Sequence, residues 1–571
     1  MRLVTSWRFG FIVGWGLSAT CLALPLTVPD TVDQQWRRQQ QQDRALQEQL
    51  MTPEKHLPLD TRPAPIPPYP MDDMPCDDIT RIRLVGEASE RFSFALATVT
   101  TGAFSAIGRC LGATGRVIVA QHVNNALLKR GYVTTRVSVA SLPVAEGELT
   151  LIVHPGRLGQ IRFEDGVERH RAVWAAFPLS SGDILNLRAI EQALENMSRL
   201  PHADFQVHIT PTDNPSVSDL VVRYQQGRPW LLSVVTDNAG SRTTGRYQGH
   251  VTGFLGNVFG VYDVWYLSTS RSLADAAGPG HPEMSSVNMQ VSFPIGYTLI
   301  DVAMSQSHSD QYFLDNATRY IYRYRTQNRS QQLGITHTLY RDAVRKTALL
   351  GRLLLHQANG WIADQELEIQ RRRTTQWELG VNHREYWGQA VLDATVACRW
   401  GSRAFEALPA PELPSPPETS VPLMGHWEAQ LTRPLAVFTR PGVYQATWRG
   451  QWAWQPLAAA DRLALGSRYT VRGFDENTQL AGDNGMILRQ EWSTPLGTPS
   501  LLGVVAYDIG TVGKRPHPHA GGSTLSGMAL GLRGALGASL SYELFAAWGL
   551  VSPAGIHSGH PTVMAKVSGL W

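Results

Sequence analysis

The sequence predicts a multidomain protein with an N-terminal helix, two small α+β domains and a C-terminal transmembrane β-barrel of roughly 16 antiparallel strands. Its 571 residues exceed the size of one ordinary globular domain. After the N-terminus no apolar run reaches the length that a membrane-spanning helix needs. The chain has 51 glycines, 17 tryptophans and 17 tyrosines but only 17% charged residues, a composition typical of many strands and aromatic girdles.

Residues 1–23 are predicted to be a signal peptide. Arg2 and Arg8 form a short basic region before an apolar stretch, and small residues precede an expected cleavage after Ala23. The alternative is a lipoprotein anchored at Cys21, which lacks the usual Leu three positions earlier. Either signal predicts export.

An exported chain enters an oxidising compartment, where cysteines can pair. Without Cys21, three cysteines remain. Cys76 and Cys110 flank one compact segment and are the better candidates for a disulfide, while Cys398 is expected to stay alone.

Residues 30–51 contain many helix formers, and Thr31 and Gln34 have the spacing of a capping box. The helix would be polar on nearly every face, which is typical of a helix in a wet cavity. A partly disordered, Gln-rich tether is the other interpretation. Residues 52–74 follow with seven prolines that predict an extended, semi-rigid linker, namely Pro53, Pro58, Pro63, Pro65, Pro67, Pro68 and Pro70.

Two consecutive strand–helix–strand–strand units predict small α+β domains at residues 75–158 and 159–228. In the first unit we expect a strand at 82–85, a helix at 116–129 and strands at 133–140 and 148–155. In the second we expect a strand at 161–163, a helix at 187–200 and strands at 205–210 and 218–224.

Residues 229–571 alternate between apolar and polar side chains, which predicts strands with one apolar and one polar face. The apolar residues occupy every second position of the segment 287–293, and one face of the segment 444–454 carries Tyr444, Ala446, Trp448, Trp452 and Trp454. Tyr320, Tyr322 and Tyr324 share a face opposite Arg323 and Arg325. A soluble sandwich also alternates, but its outer face is rarely so aromatic. We therefore expect a closed barrel with its apolar faces toward lipid and its polar faces inside.

The sequence argues against an enzyme and against cofactors or metals. It contains no Gly-x-Ser-x-Gly elbow, no His-Glu-x-x-His helix and no phosphate-binding Gly-x-x-x-x-Gly-Lys loop. His517 and His519 lie in a Gly/Pro-rich stretch that predicts a solvated loop, and the cysteines are too few for a four-cysteine zinc site. Arg371, Arg372 and Arg373 predict a lumen or loop patch. A net charge of +3 indicates no nucleic-acid partner.

Several stretches resemble one family. They are Cys76 with residues 79–86, 108–112 and 131–137 in the first small domain, 193–201 in the second, 237–240 and 244–247 at the barrel entry, and 471–474 with 507–510 near the end. Together they resemble the two-partner secretion transporters (TpsB), the outer-membrane partners of haemolysins and filamentous haemagglutinin-type adhesins. These belong to the superfamily of barrels with polypeptide-transport-associated (POTRA) domains.

The resemblance implies a role for Val471-Arg472-Gly473-Phe474 and for Asp508. The first stretch matches the tip of a long loop folded back into the barrel, and the second matches an inward carboxylate that holds the arginine. We call Arg472, Gly473, Phe474 and Asp508 the loop lock. A guanidinium in a confined lumen needs a fixed acceptor, and a bidentate carboxylate provides one.

The family usually ends in Phe, whereas this chain ends in Trp571, which keeps an aromatic signal for membrane assembly. A girdle tryptophan is the other interpretation. The resemblance also implies the partners: an unfolded exoprotein, outer-membrane lipid and lipopolysaccharide, and the barrel assembly machinery, with the transporter itself a monomer.

The implied mechanism is export of a large exoprotein from the Gram-negative periplasm. The two POTRA domains would hold its secretion domain, and the helix at 30–51 would plug the resting barrel. Folding of the cargo outside would give direction without nucleotide. Haemolysin, adhesin and contact-dependent inhibition toxin are all compatible cargoes, and whether passage activates the cargo stays open. The main alternative is an insertase that assembles other outer-membrane proteins, and a third is a barrel adhesin or enzyme.

Overall fold

The computed structural model describes residues 63, 65–141, 146–241, 245–273, 283–314, 320–409, 421–474, 480–513, 523–554, 556 and 560–571. The expected signal peptide and the helix predicted at residues 30–51 lie outside these ranges, as do most of the linker and His517 and His519. No helix in the described ranges is long and apolar enough to cross a membrane.

The first α+β domain has a three-stranded sheet in the order β2-β5-β4, in which β2 and β5 are parallel. Helix α3 packs on this sheet, and its buried Val119, Val123 and Leu127 contribute to the core. The elements are β1 (Asp77–Asp78), β2 (Arg81–Gly86), α1 (Ser89–Phe92), a 3-10 turn (Ser93–Leu96), α2 (Ala97–Thr100), β3 (Cys110–Leu111), α3 (Ala113–Lys129), β4 (Arg136–Val139) and β5 (Glu148–His154).

The linker ends at a cap on helix α3. The Asp73 carboxylate accepts hydrogen bonds from the backbone N–H groups of Gly115 (2.6 Å) and Thr114 (3.3 Å). The first N–H groups of a helix have no acceptor within the helix, so Asp73 supplies the hydrogen-bond partner that these two lack. The Gly115 N–H above all lowers the pKa of the Asp73 carboxyl. The last linker residues are therefore fastened to the first domain.

The second α+β domain repeats the arrangement with the sheet order β6-β8-β7. Its helix α5 begins at an Asn186 cap whose side chain accepts from the Arg188 N–H. The elements are β6 (Arg157–Phe163), α4 (His170–Ala176), α5 (Leu187–Met197), β7 (Ala203–Pro211) and β8 (Val217–Gln226).

The secondary-structure predictions for the two domains are close to the structure, with three helices missed. The long helices lie where the periodicity placed them, while the strand expected at 133–140 is shorter. Helices α1, α2 and α4 have only four to seven residues, too few turns for a helical period to show in the sequence.

Sixteen antiparallel strands of the described residues form one closed barrel, which confirms the predicted fold. Strand β27 closes the circle by pairing with β9. The barrel strands are β9 (Trp230–Asp237), β10 (Tyr247–Gly256), β11 (Val264–Leu273), β12 (Glu283–Ile295), β13 (Thr298–Leu314), β14 (Ile321–Arg341), β15 (Arg345–Ile362), β17 (Arg372–Trp387), β18 (Ala390–Ser402), β19 (Leu423–Pro434), β20 (Val443–Ala453), β23 (Asn484–Leu496), β24 (Thr498–Gly513), β25 (Thr524–Leu536), β26 (Leu540–Val551) and β27 (Thr562–Leu570).

Three short strands and two 3-10 turns lie outside this circle. Strands β21 (Leu463–Leu465) and β22 (Leu480–Gly482) pair with each other within the connection from β20 to β23, which also contains the turn Ala459–Asp461. Strand β16 (Gln365–Glu366) folds back and pairs antiparallel with the end of β15, and the turn Glu368–Gln370 follows it.

The barrel is apolar outside and polar inside. On β12 the outward Val287 is 51% exposed, while the inward Ser286 and Ser292 are 3% and 4% exposed. On β20 the outward Trp448 and Trp452 are exposed, and the inward Arg449 pairs with a lumen carboxylate. A water-soluble sandwich would bury the apolar set instead, so this barrel faces lipid.

One segment is oriented opposite to this expectation. Tyr322 and Tyr324 point inward, Tyr324 is 2% exposed, and Arg323 and Arg325 point outward beside Asp310. The alternation of β14 continues unbroken from its exposed Leu333. The expectation was wrong because this end of β14 extends beyond the lipid-facing band, where the outer surface meets water.

Helix α5 joins the second domain to the barrel, and all its residues are buried. Asn196 Nδ2 donates to the backbone oxygens of Ala176 (2.8 Å) and of Gly296 (2.7 Å) in the β12–β13 turn. Arg341, at the end of β14, pairs with Glu195 at 2.5 Å, and Lys346 of β15 pairs with the same carboxylate. The second domain is thus seated on the turns at one end of the barrel.

Candidate functional site

The candidate site is the connection between β20 and β23, which folds back into the barrel. The β21–β22 hairpin brings the chain inward, and the tip that follows β21 packs against the barrel wall. Val471 and Phe474 are 0% and 2% exposed. They share a buried cluster with Leu465, Ile487 and wall residues of β24 and β25. Burial of apolar side chains therefore holds the connection inside the lumen.

The structure brings Arg472 and Asp508 together. Arg472 donates from Nε to Asp508 Oδ2 at 2.6 Å, from Nη2 to Oδ1 at 2.7 Å and from its backbone N–H to Oδ2 at 3.1 Å. Arg472 Nη1 also donates to Glu491 Oε2 at 3.1 Å. The side chains of Arg472 and Asp508 are 5% and 1% exposed, so each charge is neutralised away from bulk water.

Two glycines allow this close approach. Gly473 has a φ of +95°, and a Cβ there would lie 2.3 Å from the backbone carbon of Trp548. At Gly527, on β25, a Cβ would lie 1.9 Å from the Arg472 carbonyl oxygen. Any side chain at either position would push the tip off the wall. The sequence identified Gly473 but not Gly527.

Further charged residues around the tip were missed by the sequence reasoning. Arg489 Nη1 donates to the Tyr469 carbonyl at 3.0 Å, and Arg468 Nη2 donates to Asn238 Oδ1 at 2.8 Å. Arg533 pairs with Glu491. Arg489 and Glu491 share the inward face of β23. The period-2 alternation of this strand could have identified both residues as charges directed into the lumen. Nothing in the linear sequence joins Arg468 to Asn238, 230 positions away.

Beneath the tip lies a lumen cavity of about 330 Å³. Its wall carries both signs of charge, from Arg489 and Lys566 to Glu491, Glu543 and Asp237. Such a lining offers hydrogen bonds to an extended polypeptide without favouring one side-chain type. Among the described residues, no group of three or more His, Cys, Asp or Glu side chains could hold a metal ion.

The other predicted site residues lie far from the loop lock. Cys76 and Cys110 form a disulfide at the edge of the first domain, beside the β1–β3 pair, and Cys398 is a free cysteine on β18. Trp571 exchanges backbone hydrogen bonds with Leu232 of β9, at 3.0 and 2.9 Å, where the first and last strands meet.

The arginine run at 371–373 forms a loop patch at the end of the barrel opposite the two small domains. Arg371 pairs with Glu366 at 2.8 Å, and Arg373 pairs with Glu406. Arg372 Nη1 donates to the Ile369 carbonyl at 2.8 Å.

Family models match most of the described chain. The model of haemolysin secretion/activation proteins ShlB/FhaC/HecB matches residues 216–534. A ShlB-type POTRA model matches residues 78–156, and a second POTRA model matches residues 157–211.

Similar proteins include outer membrane transporters. CdiB-2 of Burkholderia pseudomallei strain 1026b is 31% identical over 464 residues, which cover 80% of this chain and 78% of the relative. CdiB of Escherichia coli O6:K15:H31 strain 536 is 30% identical over 550 residues, which cover 93% and 89%. The solved structure of CdiB from Acinetobacter baumannii superposes with a TM-score of 0.82 at 25% identity, covering 95% of this chain and 100% of that one.

Proposed function

Because this chain belongs to the ShlB/FhaC/HecB family of haemolysin secretion/activation proteins, we propose that it exports one dedicated partner exoprotein through its barrel. It is an outer-membrane transporter with two periplasmic POTRA domains. The observation that carries the proposal is a closed barrel with the POTRA domains seated at one end and a loop fastened inside the lumen by Arg472 and Asp508. The exoprotein belongs to the class carried by CdiB transporters, with a haemolysin as the second candidate.

We place the cargo on the open edge of β7 in the second POTRA domain. Strand β7 pairs only with β8 among the described residues. Gly227 N donates to the His202 carbonyl at 2.8 Å, so even-numbered residues of β7 pair with β8 and the odd-numbered N–H groups face the open edge. An extended peptide can add there as a further strand.

The edge of the first POTRA sheet is less accessible. On β4, the Asn124 side chain donates to the Val137 carbonyl at 2.9 Å and accepts from the Val137 N–H at 2.8 Å. This amide occupies the backbone groups that an added strand would need. The difference between the two edges supports the assignment to β7.

The loop lock sets the resting state. Arg472 and Asp508 hold the tip against β24–β26, and the passing cargo displaces it. The helix predicted at residues 30–51 plugs the resting barrel. The linker at 52–74 allows this helix to leave the barrel during transport. The folding of cargo outside the cell supplies direction.

The insertase alternative is disfavoured. Insertases of this superfamily usually carry three or more POTRA domains, whereas family models match two here. The relatives at 30–31% identity are named as transporters. As finer partners we propose lipid and lipopolysaccharide around the barrel and the assembly machinery that recognises Trp571, with the transporter acting as a monomer.

Co-expression with the candidate partner exoprotein tests the proposal. Cargo should reach the medium only when the barrel is present, and less cargo should reach it with the Arg472→Ala variant at matched barrel levels. If cargo stayed in the periplasm while other outer-membrane proteins declined on depletion of this chain, the insertase interpretation would replace ours.

A further inference from the structure

The outward face of β13 and β14 changes from apolar to cationic along the strands. Val302 and Leu333 lie directly opposite each other on this face and are 37% and 44% exposed. Further along β14 the same face presents Arg329, Arg325 and Arg323. The other face of this segment is directed into the lumen, so these guanidinium groups lie on the outer wall of the barrel.

This cationic segment lies at the cell-exterior end. The opposite ends of β12, β13 and β14 contact the second POTRA domain through Asn196 and Glu195, which fixes that side as periplasmic. Strand β14 has 21 residues, whereas about 9–11 suffice to cross a bilayer. Arg329 is four residues beyond Leu333, or roughly 13 Å along the strand. That separation puts Arg329 toward the exterior end of the strand, where we expect the outer headgroups.

The patch has more positive than negative charge. Arg323 and Arg325 share Asp310, each with an Nε to Oδ1 distance of 3.4 Å, and Arg325 also approaches Asp364 at 3.7 Å. Within the described ranges, Arg329 has no carboxylate within ion-pair distance, and its Nη2 and Nε donate to the side-chain oxygen of Gln327 at 3.0 and 3.1 Å. The charge of Arg329 is therefore not neutralised by a described carboxylate, and an external anion could neutralise it.

A groove of about 550 Å³ lies beside Arg329 on the same face. Val287, Met289 and Met304 form its apolar part, while His308 and Arg329 form its polar part. The apolar part continues the lipid-facing band, since Val287 and Met304 are 51% and 52% exposed. The groove is thus apolar toward the membrane and cationic toward the exterior.

The opposite wall has no comparable patch. In the described residues of β24–β27, the outward positions carry no charged side chain, and their exposed residues are apolar or aromatic, such as Val505, Tyr507 and Leu530. The cationic segment of β13–β14 is therefore not repeated on the wall formed by β24–β27.

We propose that the groove beside Arg329 binds a phosphorylated glycolipid of the outer leaflet. Arg329 and Arg325 bind a phosphate of its headgroup, because a guanidinium can donate two hydrogen bonds to a phosphate and tolerates partial burial. Met289 and Met304 contact the first part of an acyl chain. The site rests on the outer-membrane location of the barrel, but its test needs no cargo and is independent of export.

Native mass spectrometry of the purified full chain in detergent measures the binding. Bisphosphorylated lipid A, lipid A without phosphates and inorganic pyrophosphate are titrated in parallel. Wild type should bind bisphosphorylated lipid A, and Arg329→Gln should bind it about tenfold more weakly, as expected for one lost charge-assisted contact. Arg329→Lys, which keeps the charge, should restore part of the affinity. Heat-modifiable mobility on gels verifies that each variant has a folded barrel.

The matched control is Arg171→Gln, an exposed arginine of α4 in the periplasmic domain that removes the same charge. It should bind lipid A as the wild type does. Equal binding by wild type and Arg329→Gln would overturn the site. Binding of lipid A without phosphates as tight as that of bisphosphorylated lipid A would overturn the role of the guanidinium groups. Pyrophosphate binding as tight as that of lipid A would show that a soluble phosphate, not a lipid, is the ligand.

Discussion

Removal of the Asp508 carboxylate should release the infolded loop. Arg472 and Asp508 are 5% and 1% exposed at their side chains, and breaking such a buried pair by removing one partner costs about 3–5 kcal/mol. Arg472 keeps its contact with Glu491, so we use the lower end, about 3 kcal/mol. That corresponds to a shift of about a hundredfold in the equilibrium between the lodged and the released loop.

Single-channel recording in planar bilayers, on a chain from which the plug proposed at residues 30–51 has been deleted, measures this equilibrium as the fraction of time that the pore conducts. Asp508→Asn and Arg472→Gln should each raise that fraction, and the double variant should resemble either single variant, because the second substitution has no pair left to break. Fully additive effects of the two substitutions would refute the reasoning, since they would mean that the two side chains act independently.

The matched control is another charged pair on the lumen wall. Arg384 Nη2 lies 2.5 Å from Asp393 Oδ2 between β17 and β18, and neither residue is among the contacts of the tip given above. Arg384→Gln and Asp393→Asn remove the same charges from the lumen and should leave the conducting fraction unchanged. An equal increase in these variants would attribute gating to lumen charge rather than to the loop lock.

Three further predictions concern the periplasmic domains. Val207→Pro removes an edge N–H of β7 without breaking its pairing with β8, so secretion into the medium should fall about fivefold, the effect of one lost backbone hydrogen bond. Replacing Cys76 and Cys110 by Ala removes a cross-link between positions 34 residues apart, which should destabilise the first domain by about 4 kcal/mol. Pulse proteolysis should then show cleavage of this domain at a lower urea concentration. Asp73→Asn should speed amide exchange in the first turn of α3. Because the pKa of Asp73 is lowered in the folded state, its stabilisation is present above the usual carboxyl pKa and is lost as the pH falls through the lowered value.

Each of these predictions has a control. Val207→Ala keeps the N–H and should secrete normally, so an equal loss in both variants would indicate a packing defect. Cys398→Ala removes a cysteine outside the disulfide and should leave the protease sensitivity of the first domain unchanged. Asp72→Asn removes a neighbouring carboxylate that does not cap α3, and it should leave exchange there unaltered. Faster exchange in both acidic variants would argue against the cap.

The sequence was sufficient for the architecture because period-2 alternation depends only on neighbours along one strand. That pattern located the outward Val287 and the inward Ser286. It could not say where a strand leaves the lipid, and for this reason Tyr324 and Arg325 were assigned to the wrong faces. Membrane thickness and strand tilt set that boundary, and neither is written in the local pattern.

The loop lock, too, could be predicted only in part from the sequence. Arg472 and Asp508 could be paired because the family motif links them, whereas Glu491 and Arg489 required the register between β23 and β24. The sequence could have suggested both as inward charges on β23. Their contacts with the tip depend on how a long connection folds back into the lumen, which alternation along a strand does not specify.

Helix α5 shows why a polar helix face is ambiguous in sequence. Its apolar side packs in the second POTRA domain, and its polar side, with Glu191 and Glu195, suggests exposure to water. In the structure that side is buried against Arg341 and Lys346 of the barrel. Buried charges persist only where partners meet them, so the acidic face of α5 and the basic barrel turn form one interface. This interface fixes the second POTRA domain at the barrel entrance, and the open edge of β7 is held there with it.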